Sequence, residues 1–436
     1  MGFFTKKPKP HVDNTPRFMD EKEITEFCTE KAEPIGKKSV DLKKNIIISK
    51  DLFLSPDERS THLVTNIMIA ARAGAGKLTG FIEPNVAQNF ASQIITDPSG
   101  EMYSKYAKKK EEEGYTVKCL NLSNLREGNK YNPFEYIESE KDVDHLVQCL
   151  FDNLLDPDIK DADSFWQGTA KLLLKSVILY LWSTMPKEKQ TFREVLKLLN
   201  MARKDDDSDE QSPLDVLFSD LEKNDPDNIA VQRYRELKTG AEKTLNGSLT
   251  TVSSMLKMFE LSDLQDLTSS DEMDLTHFAD TKHAIFVVIP VCENGAYNFV
   301  ASMLYTQIYQ IIYRYGEKRS VPMQLIMDEF SSTGIIPAFV DKISTARAYG
   351  VTTIIALQSY TQLEDMYKDE APIILSNCPI KALMGTSDEK TVKMFNYHND
   401  LITMDMVMNL DLEHMYVIID ELNPYYGEKY FINKNE

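Results

Sequence analysis

The sequence predicts an α/β protein in which one parallel sheet is interrupted by an all-helical segment. Three observations lead to this class. Short apolar runs alternate with helical stretches from residue 46, strand patterns are absent from about 141 to 270, and they return from 283. Apolar runs of this length between turn signals are typical of parallel strands with helices on both faces. The strands after residue 283 are expected to complete the first sheet and not to form a second one, because each half of the α/β part of the chain is short.

The elements are expected in the following order. Residues 1–45 are polar and lysine-rich, and we predict an arm with one short helix near "DEKEITEF". The strands of the first half are then "NIMIAA", "SQIITD" and "TVKCLNL", and those of the second half are "HAIFVVIP", "MQLIMDEF", "VTTIIALQS", "IKALMG" and "MYVIID". We therefore assign residues 46–140 and 271–436 to one discontinuous α/β domain.

Residues 141–270 are predicted to form an all-α domain. The segments "VDHLVQCLFDNLL", "SFWQGTAKLLLKSVILYLW", "TFREVLKLLNMA" and "TLNGSLTTVSSMLKMF" have helical patterns of apolar residues. The acidic stretches "KDDDSDEQSP" and "EKNDPDN" between them are expected to be solvated loops.

The bulk composition limits the compartment and the partners. Five scattered cysteines without C-x-x-C spacing indicate reduced thiols and no structural metal. Neither a signal peptide nor an apolar run of about 20 residues is visible, so a cytoplasmic protein is expected. The net charge of −19 repels nucleic acid unless positive charge is concentrated locally. Residues 105–110 and 314–319 are candidates for such charge, although solvated surface side chains are the simpler interpretation.

The stretch "NIMIAARAGAGKLTG" has the layout of a strand, a phosphate-binding loop and a helix. Backbone N–H groups of a small-residue turn at a helix N-terminus can cradle an anion. The residues predicted to bind the cofactor are Gly74, Ala75, Gly76, Lys77, Leu78 and Thr79. Lys77 can reach the β- and γ-phosphates of a nucleotide. The alternative is a plain strand-to-helix turn with an exposed lysine.

A second segment, "MQLIMDEFSSTG", places Asp328 and Glu329 at the end of an apolar run. The carboxyl ends of strands are where α/β sheets bind ligands. Asp328 could hold Mg²⁺ through water, and Glu329 could polarise a water that attacks the γ-phosphate. The alternative is an ordinary strand end with a solvated acidic pair.

Two further polar residues flank the next strand. Arg347 lies just before "VTTIIALQS", and Gln358 lies at its end. Gln358 could sense a γ-phosphate, and Arg347 could reach a neighbouring subunit's site as an arginine finger. Taken alone, Arg347 is more simply interpreted as a surface arginine, and Gln358 as a hydrogen-bonding residue at a strand end.

The whole pattern resembles the coupling-protein ATPases of type IV secretion and conjugation, the TraG/TraD-like family of RecA-type DNA pumps. The match runs from about residue 46 to 432. Besides the loop and the acidic pair it includes "EPNVAQ", "TDPSGEMY", "YNPFEYI", "FWQGTAKLLLKSVILYL", "ILSNCPIKALMGTSDEKTVKMF" and "LNPYYGEKY". No single piece is very specific, but the ordered set is.

The resemblance implies a RecA-like P-loop NTPase core with a parallel-rich twisted sheet, working as a homo-hexamer with ATP and Mg²⁺. The family's motif positions fall on Lys77, Asp328, Glu329, Arg347 and Gln358. The implied partners are DNA, a relaxase or effector protein recruited by the all-α domain, and the type IV secretion membrane complex. The implied location is the inner face of the cell membrane, where the chain would be peripheral.

The sequence departs from the family pattern at several positions. Leu78 stands where a hydroxyl normally coordinates Mg²⁺, and Thr79, one residue later, is a doubtful replacement. Ala71 replaces the first glycine of the loop, Ser99 replaces a lysine, and Arg72 is an extra cation that could lie near the phosphates. Many family members also begin with two transmembrane helices, which this sequence lacks.

These departures leave three functions open. The first is an ATP-driven pump that moves DNA or nucleoprotein into a secretion channel. The second is a receptor or scaffold of the same machinery that binds nucleotide but hydrolyses it poorly. The third is a DNA translocase of chromosome partitioning or repair, which the helical insertion after the third strand disfavours.

Overall fold

All eight predicted apolar runs form strands of one large sheet. The computed structural model describes residues 17–432 except 36–38, 42, 156–163, 204–210, 240–241, 279, 291–294, 317–320 and 397–400. Most of the predicted loop "KDDDSDEQSP" and part of the basic stretch 314–319 therefore lie outside the described residues.

The strands fall into two small antiparallel pairs and the large sheet. The pairs are β1 (Pro34–Ile35) with β2 (Ser39–Val40), and β3 (Ile46–Ile47) with β4 (Phe53–Leu54). The large sheet contains β5 (Ile67–Ala70), β6 (Ser92–Asp97), β7 (Thr116–Asn121), β8 (His283–Val288), β9 (Met323–Met327), β10 (Val351–Leu357), β11 (Ile380–Leu383), β12 (His414–Ile419) and β13 (Tyr425–Glu428).

The order across the large sheet is β13-β12-β11-β5-β10-β9-β6-β8-β7. Every pair from β11 to β7 is parallel, and β12 and β13 form an antiparallel hairpin at one edge. The parallel-rich sheet was predicted. The strand β13 was not, because its four residues, Tyr-Tyr-Gly-Glu, form no apolar run. The two small pairs were not, because strands of two residues have no period to detect.

The helices, in chain order, are α1 (Glu21–Lys31), α2 (Glu58–Thr61), α3 (Glu83–Val86), α4 (Glu101–Glu112), α5 (Glu140–Leu154), α6 (Ser164–Thr184), α7 (Phe192–Met201), α8 (Pro213–Asn224), α9 (Ile229–Lys238), α10 (Glu242–Met255), α11 (Ser262–Leu267), α12 (Asn298–Tyr315), α13 (Phe339–Ala346), α14 (Tyr360–Tyr367), α15 (Ala371–Ser376), α16 (Glu389–Phe395) and α17 (Met404–Met408). A π-helical turn, Leu78–Ile82, precedes α3.

Both faces of the sheet are covered, as the apolar runs predict. Alternate residues of β5 point into different cores: Met68 and Ala70 into one, Ile67 and Ile69 into the other. Side chains alternate along a strand, so a strand buried on both faces reads as a continuous apolar run. The central strand β5 is therefore fixed between two layers of helices.

The described elements from α5 to α11 are all helical, as predicted for this segment. Its core is continuous with one face of the sheet. The ring of Phe259 stacks on Phe192 of α7 at 3.8 Å and meets Phe299 of α12 edge-on at 5.4 Å. The helical segment is thereby packed directly onto the α/β part of the chain.

The N-terminal part packs against the β12–β13 hairpin. The predicted short helix is α1, which begins at a capping box formed by Asp20 and Glu23. The ring of Phe18 stacks on Tyr416 at 5.9 Å, and the Met19 N–H donates to the carbonyl of Pro424. No helix within the described residues is both long and apolar enough to span a bilayer.

Candidate functional site

The ends of four neighbouring strands form the site. The register aligns Ala70 of β5 with Leu357 of β10, and Thr96 of β6 with Met327 of β9. The N–H of Ala71 continues the pairing by donating to the carbonyl of Leu357 at 2.9 Å. Because these strands are parallel, the residues that follow them all lie at the carboxyl edge of the sheet. The loop after β5 and the acidic pair after β9 are thus brought to one place.

The loop after β5 has the conformation of a phosphate cradle. Gly74 and Gly76 have φ angles of 73° and 77°, in the left-handed region that favours glycine. A Cβ added to Gly74 would meet no atom within 4 Å, so the loop is open there. A helical segment starts directly after Lys77. The unpaired N–H groups at such a start favour an anion.

Lys77 joins the loop to the acidic pair. Its ammonium lies 2.6 Å from Asp328 Oδ1 and 3.3 Å from Glu329 Oε2. The three side chains are largely buried, which strengthens the attraction between their charges. An ammonium has three donors, so Lys77 can contact both carboxylates and a phosphate oxygen.

Glu329 lies at the centre of the network. Gln358 Nε2 donates to Glu329 Oε1 at 3.1 Å, and the Ser331 hydroxyl donates to the same oxygen at 3.3 Å. The backbone N–H of Glu329 donates to Asp328 Oδ1 at 3.0 Å. Four of the predicted residues, Lys77, Asp328, Glu329 and Gln358, are thus in direct contact.

The fifth predicted residue, Arg347, is not in this network. It is exposed in a short 3-10 turn before β10, at the amino edge of the sheet. The strand between Arg347 and Gln358 is seven residues long, which corresponds to about 23 Å. Arg347 therefore cannot contact a ligand held by the loop of its own chain.

Leu78 and Thr79 occupy different surroundings. Leu78 is half-buried against the apolar core on its side of the sheet, whereas Thr79 is exposed. Both belong to the π-helical turn, in which the N–H of Glu83 donates to the carbonyl of Leu78, five residues back. The Thr79 hydroxyl lies 4.0 Å from the position that a Cβ on Gly76 would take, so it remains beside the loop.

Arg72 does not face the cradle in this structure. Its guanidinium donates to the carbonyls of Met408 and Leu410, at 3.5 and 3.4 Å, and so joins the loop to the end of α17 and the residues after it. The expectation that Arg72 lies near the phosphates is therefore not supported by its contacts.

Two site residues were missed by the sequence analysis. Asp97, at the end of β6, accepts from the N–H of Tyr103 at 2.8 Å, and Ser99 lies 3.5 Å from it. Burial raises the pKa of Asp97, and the nearby charge of Asp328 adds to the effect. Lys429, after β13, donates to the carbonyl of Ala75 in the loop. Both lie in segments that carry the family resemblance, "TDPSGEMY" and "LNPYYGEKY", but neither was given a role.

Three cations of the candidate basic patches make contacts within the chain. Lys105 pairs with Glu83, and Lys110 is buried and donates to the carbonyl of Gln88. Burial lowers the pKa of Lys110 to about 7. Arg314 lies 2.8 Å from Glu138 and 2.7 Å from Asp142.

The site as a whole can bind an anion and organise charge around it. The loop offers backbone N–H groups and a lysine, and the adjacent strands offer two carboxylates and an amide. Carboxylates suit Mg²⁺, which favours oxygen ligands and is usually held by one or two carboxylates together with substrate phosphates. The donor set therefore fits a phosphate with its metal ion.

Comparisons with known proteins place the sequence among DNA-transfer proteins. The profile of the family described as "Type IV secretory system Conjugative DNA transfer" matches residues 28–398. The conjugal transfer protein TraG of Escherichia coli is 33% identical over 124 residues, and this match covers 26% of the chain and 18% of that protein. The match thus spans less than a fifth of this curated relative.

Solved structures with the same fold extend over nearly the whole chain. The plasmid coupling protein TrwB, in complex with the ATP analogue ADPNP, has a TM-score of 0.72 at 16% identity, covering 99% of this chain and 97% of that one. TrwB with ADP and Mg²⁺ has a TM-score of 0.71 at 16% identity, covering 99% and 98%. VirB4 of Thermoanaerobacter pseudethanolicus has a TM-score of 0.56 at 14% identity, covering 92% of this chain and 98% of that one. At these identities the likeness concerns the fold, and it confirms the predicted RecA-like P-loop NTPase core.

Proposed function

The chain belongs to the conjugative DNA transfer family of type IV secretory systems, and we propose that it is an ATP-driven coupling protein. In this role it recruits a DNA–relaxase complex or a protein substrate and moves it into the secretion channel. One observation carries the proposal: Lys77, Asp328, Glu329 and Gln358 form one contact network beside a glycine-bearing loop. A turn with only a structural purpose has no need of such a network.

ATP and Mg²⁺ are the cofactors that this network fits. The loop and Lys77 would hold the phosphates, and Asp328 would hold the metal ion through water. When bound, Mg²⁺ supplies charge that stabilises the transferring phosphoryl group. The related protein TrwB has been seen with ADP and Mg²⁺ and with ADPNP, which supports this assignment.

The remaining side chains have separate roles in the proposed reaction. Glu329 orients and polarises the attacking water, because its carboxylate is fixed by Lys77, Gln358 and Ser331. Gln358 links that carboxylate to the γ-phosphate. Arg347, at the opposite edge of the sheet, would serve the site of a neighbouring subunit in a homo-hexamer.

The proposed partners follow from the family. They are DNA, a relaxase or effector protein bound through the helical segment 141–270, and the membrane complex of the secretion system. The chain would act in the cytoplasm, peripheral to the inner face of the membrane. The net charge of −19 requires that DNA contact a selected surface.

ATP hydrolysis by the purified chain, measured with and without DNA, tests the proposal. We expect turnover that DNA stimulates, and Lys77→Ala should reduce it by at least about 100-fold, the usual effect of removing a group that stabilises transition-state charge. Lys50→Ala is the matched control, since Lys50 is an exposed lysine paired with Glu428. Wild-type protein that binds DNA but never hydrolyses ATP would refute a motor function.

The second candidate is a receptor of the same machinery that binds nucleotide and hardly hydrolyses it. The placement of Leu78 favours it, because an apolar side chain packed on the core cannot coordinate Mg²⁺. If this candidate is correct, wild type binds ATP without turnover, and Leu78→Thr raises hydrolysis at least about tenfold. Vigorous wild-type turnover that Leu78→Thr leaves unchanged would eliminate it.

A further inference from the structure

Lys429 is buried against the nucleotide loop from the far end of the chain. Its ammonium donates to the carbonyl of Ala75 at 2.8 Å and to the carbonyl of Leu412 at 2.9 Å. Only 1% of the residue is exposed. Lys429 and Ala75 are 354 residues apart in sequence, and the β12–β13 hairpin brings them together.

The stem of Lys429 packs on the start of the helix after the loop. A Cβ added to Gly80 would lie 2.8 Å from Lys429 Cδ and 3.0 Å from its Cβ. The absence of a side chain at Gly80 therefore makes room for this lysine. One side chain thus contacts both the loop, at its ammonium, and the helical turn, along its stem.

The contact at Ala75 fixes the direction of a neighbouring N–H group. The described chain contains no cis peptide bond, so the Ala75 carbonyl and the Gly76 N–H point in opposite directions across one plane. With the carbonyl held on Lys429, the Gly76 N–H is directed away from the hairpin. We propose that Lys429 is a positioning residue, which keeps the Gly76 N–H turned toward the phosphate that the loop binds.

This inference rests on the proposed nucleotide binding and adds a residue to it. If the Ala75–Gly76 peptide flipped, a carbonyl oxygen would replace an N–H at the anion and repel it. An ammonium opposes that flip well because it only donates, and its bonds to carbonyls are charge-assisted. Gly76 has no Cβ and adopts a left-handed φ of 77°, so its backbone is permissive and an external contact is needed to select one orientation.

The charges around Lys429 give the proposal a second readout. The pKa of Lys429 is lowered to about 8, mainly by burial, with Asp411 opposing the shift and the charge of Arg72 adding to it. Asp411 accepts from His414, and the preceding Glu428 is paired with Lys50. Near neutral pH Lys429 is therefore mostly charged, and it loses its proton as pH rises through about 8. The hold on the loop should weaken in the same range.

The test is the affinity for Mg·ADP, measured by calorimetry on the full chain. Lys429→Met keeps the length of the stem and removes the ammonium, and we expect affinity to fall about tenfold, as for the loss of one charge-assisted hydrogen bond. Lys50→Met removes another lysine of the hairpin region, one that does not contact the loop, and should bind as wild type does. Between pH 7 and 9 wild-type affinity should decline, whereas Lys429→Met should bind with the same weak affinity throughout.

Gly80→Ala provides a test that keeps Lys429 in place. The new methyl group displaces the lysine stem, so it should weaken Mg·ADP binding in wild type but not in a Lys429→Ala background, where the space is free. Wild type and Lys77→Ala distinguish failure of the proposed nucleotide binding from failure of the proposed role of Lys429. If wild type fails to bind Mg·ADP, the proposed function is wrong. If wild type binds, Lys77→Ala does not, and Lys429→Met matches wild type at every pH, the role of Lys429 is refuted.

Discussion

Glu329 has a left-handed backbone conformation, with a φ of 52°. For a residue other than glycine this costs on the order of 1–3 kcal/mol, so surrounding contacts must hold it in place. Those contacts are the ones described at the site: Lys77 on one carboxylate oxygen, and Gln358 and Ser331 on the other. These contacts therefore hold the strained residue and fix its carboxylate between the loop and the end of β10.

Replacing Glu329 by glutamine separates nucleotide binding from turnover. The amide keeps the shape of the side chain and loses the charge that polarises water. ATP turnover should fall about 100- to 10,000-fold, the usual contribution of a positioned general base, while ATP affinity changes little. Single-turnover hydrolysis and equilibrium binding measure the two quantities. Glu364→Gln, which alters an exposed glutamate paired with Lys390, should leave both unchanged, and equal turnover in Glu329→Gln would exclude the assigned role.

The sequence was sufficient to bring together Lys77, Asp328, Glu329 and Gln358, because each directly follows a strand or the loop after one. It could not identify Lys429, whose partner is distant in sequence and whose strand β13 lies at the sheet edge. The surroundings of Leu78 could not be predicted from the sequence either, since they depend on a π-helical turn that no periodic pattern indicates. The role of Arg347 remains a prediction, because a single chain does not contain the surface on which it would act.

The helical segment is held by a buried cluster between α8 and α9. Ser212 caps α8 through a capping box with Asp215, and Tyr234 and Lys238 of α9 donate to Asp215 Oδ1 at 2.8 and 2.6 Å. Burial alone would raise the pKa of Asp215, but the bonds from Lys238, Ser212 and Tyr234 outweigh it and lower the pKa to about 2. One carboxylate therefore both starts α8 and joins it to α9.

Asp215→Asn should destabilise this pair of helices by about 1–3 kcal/mol, because the charge that Lys238 and Tyr234 contact is lost. Asp220→Asn on the same helix removes an exposed pair with Lys223 and should cost less than about 0.5 kcal/mol. Thermal unfolding and limited proteolysis of the segment compare the two variants. Since the folded pKa lies below the unfolded value of 3.8, the stabilisation is complete above that pH and disappears as pH falls through about 2. If Asp215→Asn and Asp220→Asn unfold at the same temperature and are cleaved at the same rate, the cluster around Asp215 does not stabilise the two helices.

The elements themselves were largely predictable. Parallel strands such as β5 and β10 are buried on both faces and appear in the sequence as unbroken apolar runs. The start of α1 is indicated by Asp20 and Glu23, which form its capping box. The two-residue strands β1 to β4 were not, since such strands have no period to detect. That the helical segment shares one core with the sheet also had to come from the structure, because it depends on contacts such as Phe259 with Phe299.

The whole molecule presents its nucleotide loop and Arg347 at opposite edges of one sheet. A ring of such subunits would place one edge of each chain against the other edge of its neighbour. In this arrangement Arg347 of one subunit would complete the nucleotide site of its neighbour. A closed ring repeats the same interface, so every site would be completed in the same way.

Mixing two inactive variants tests this arrangement. Arg347→Ala and Lys77→Ala should each hydrolyse little ATP alone. In an equal mixture, half of the subunits keep Lys77 and half of their neighbours supply Arg347, so about a quarter of the sites should be complete. Recovery of activity on mixing, followed by ATP turnover at fixed total protein, is the expected result. A mixture that never exceeds its two components would place Arg347 outside the neighbour's site.

The π-helical turn at Leu78–Ile82 has a consequence for the position of the hydroxyl group that follows Lys77. Its i to i+5 hydrogen bond encloses one residue more than an α-helical turn does, which is how a single-residue insertion is accommodated in a helix. If Leu78 is counted as the inserted residue, the loop reads Gly76-Lys77-Thr79, the Gly-Lys-Thr ending of an ordinary phosphate loop. The hydroxyl is then present but displaced by one residue, and deletion of Leu78 would place Thr79 directly after Lys77.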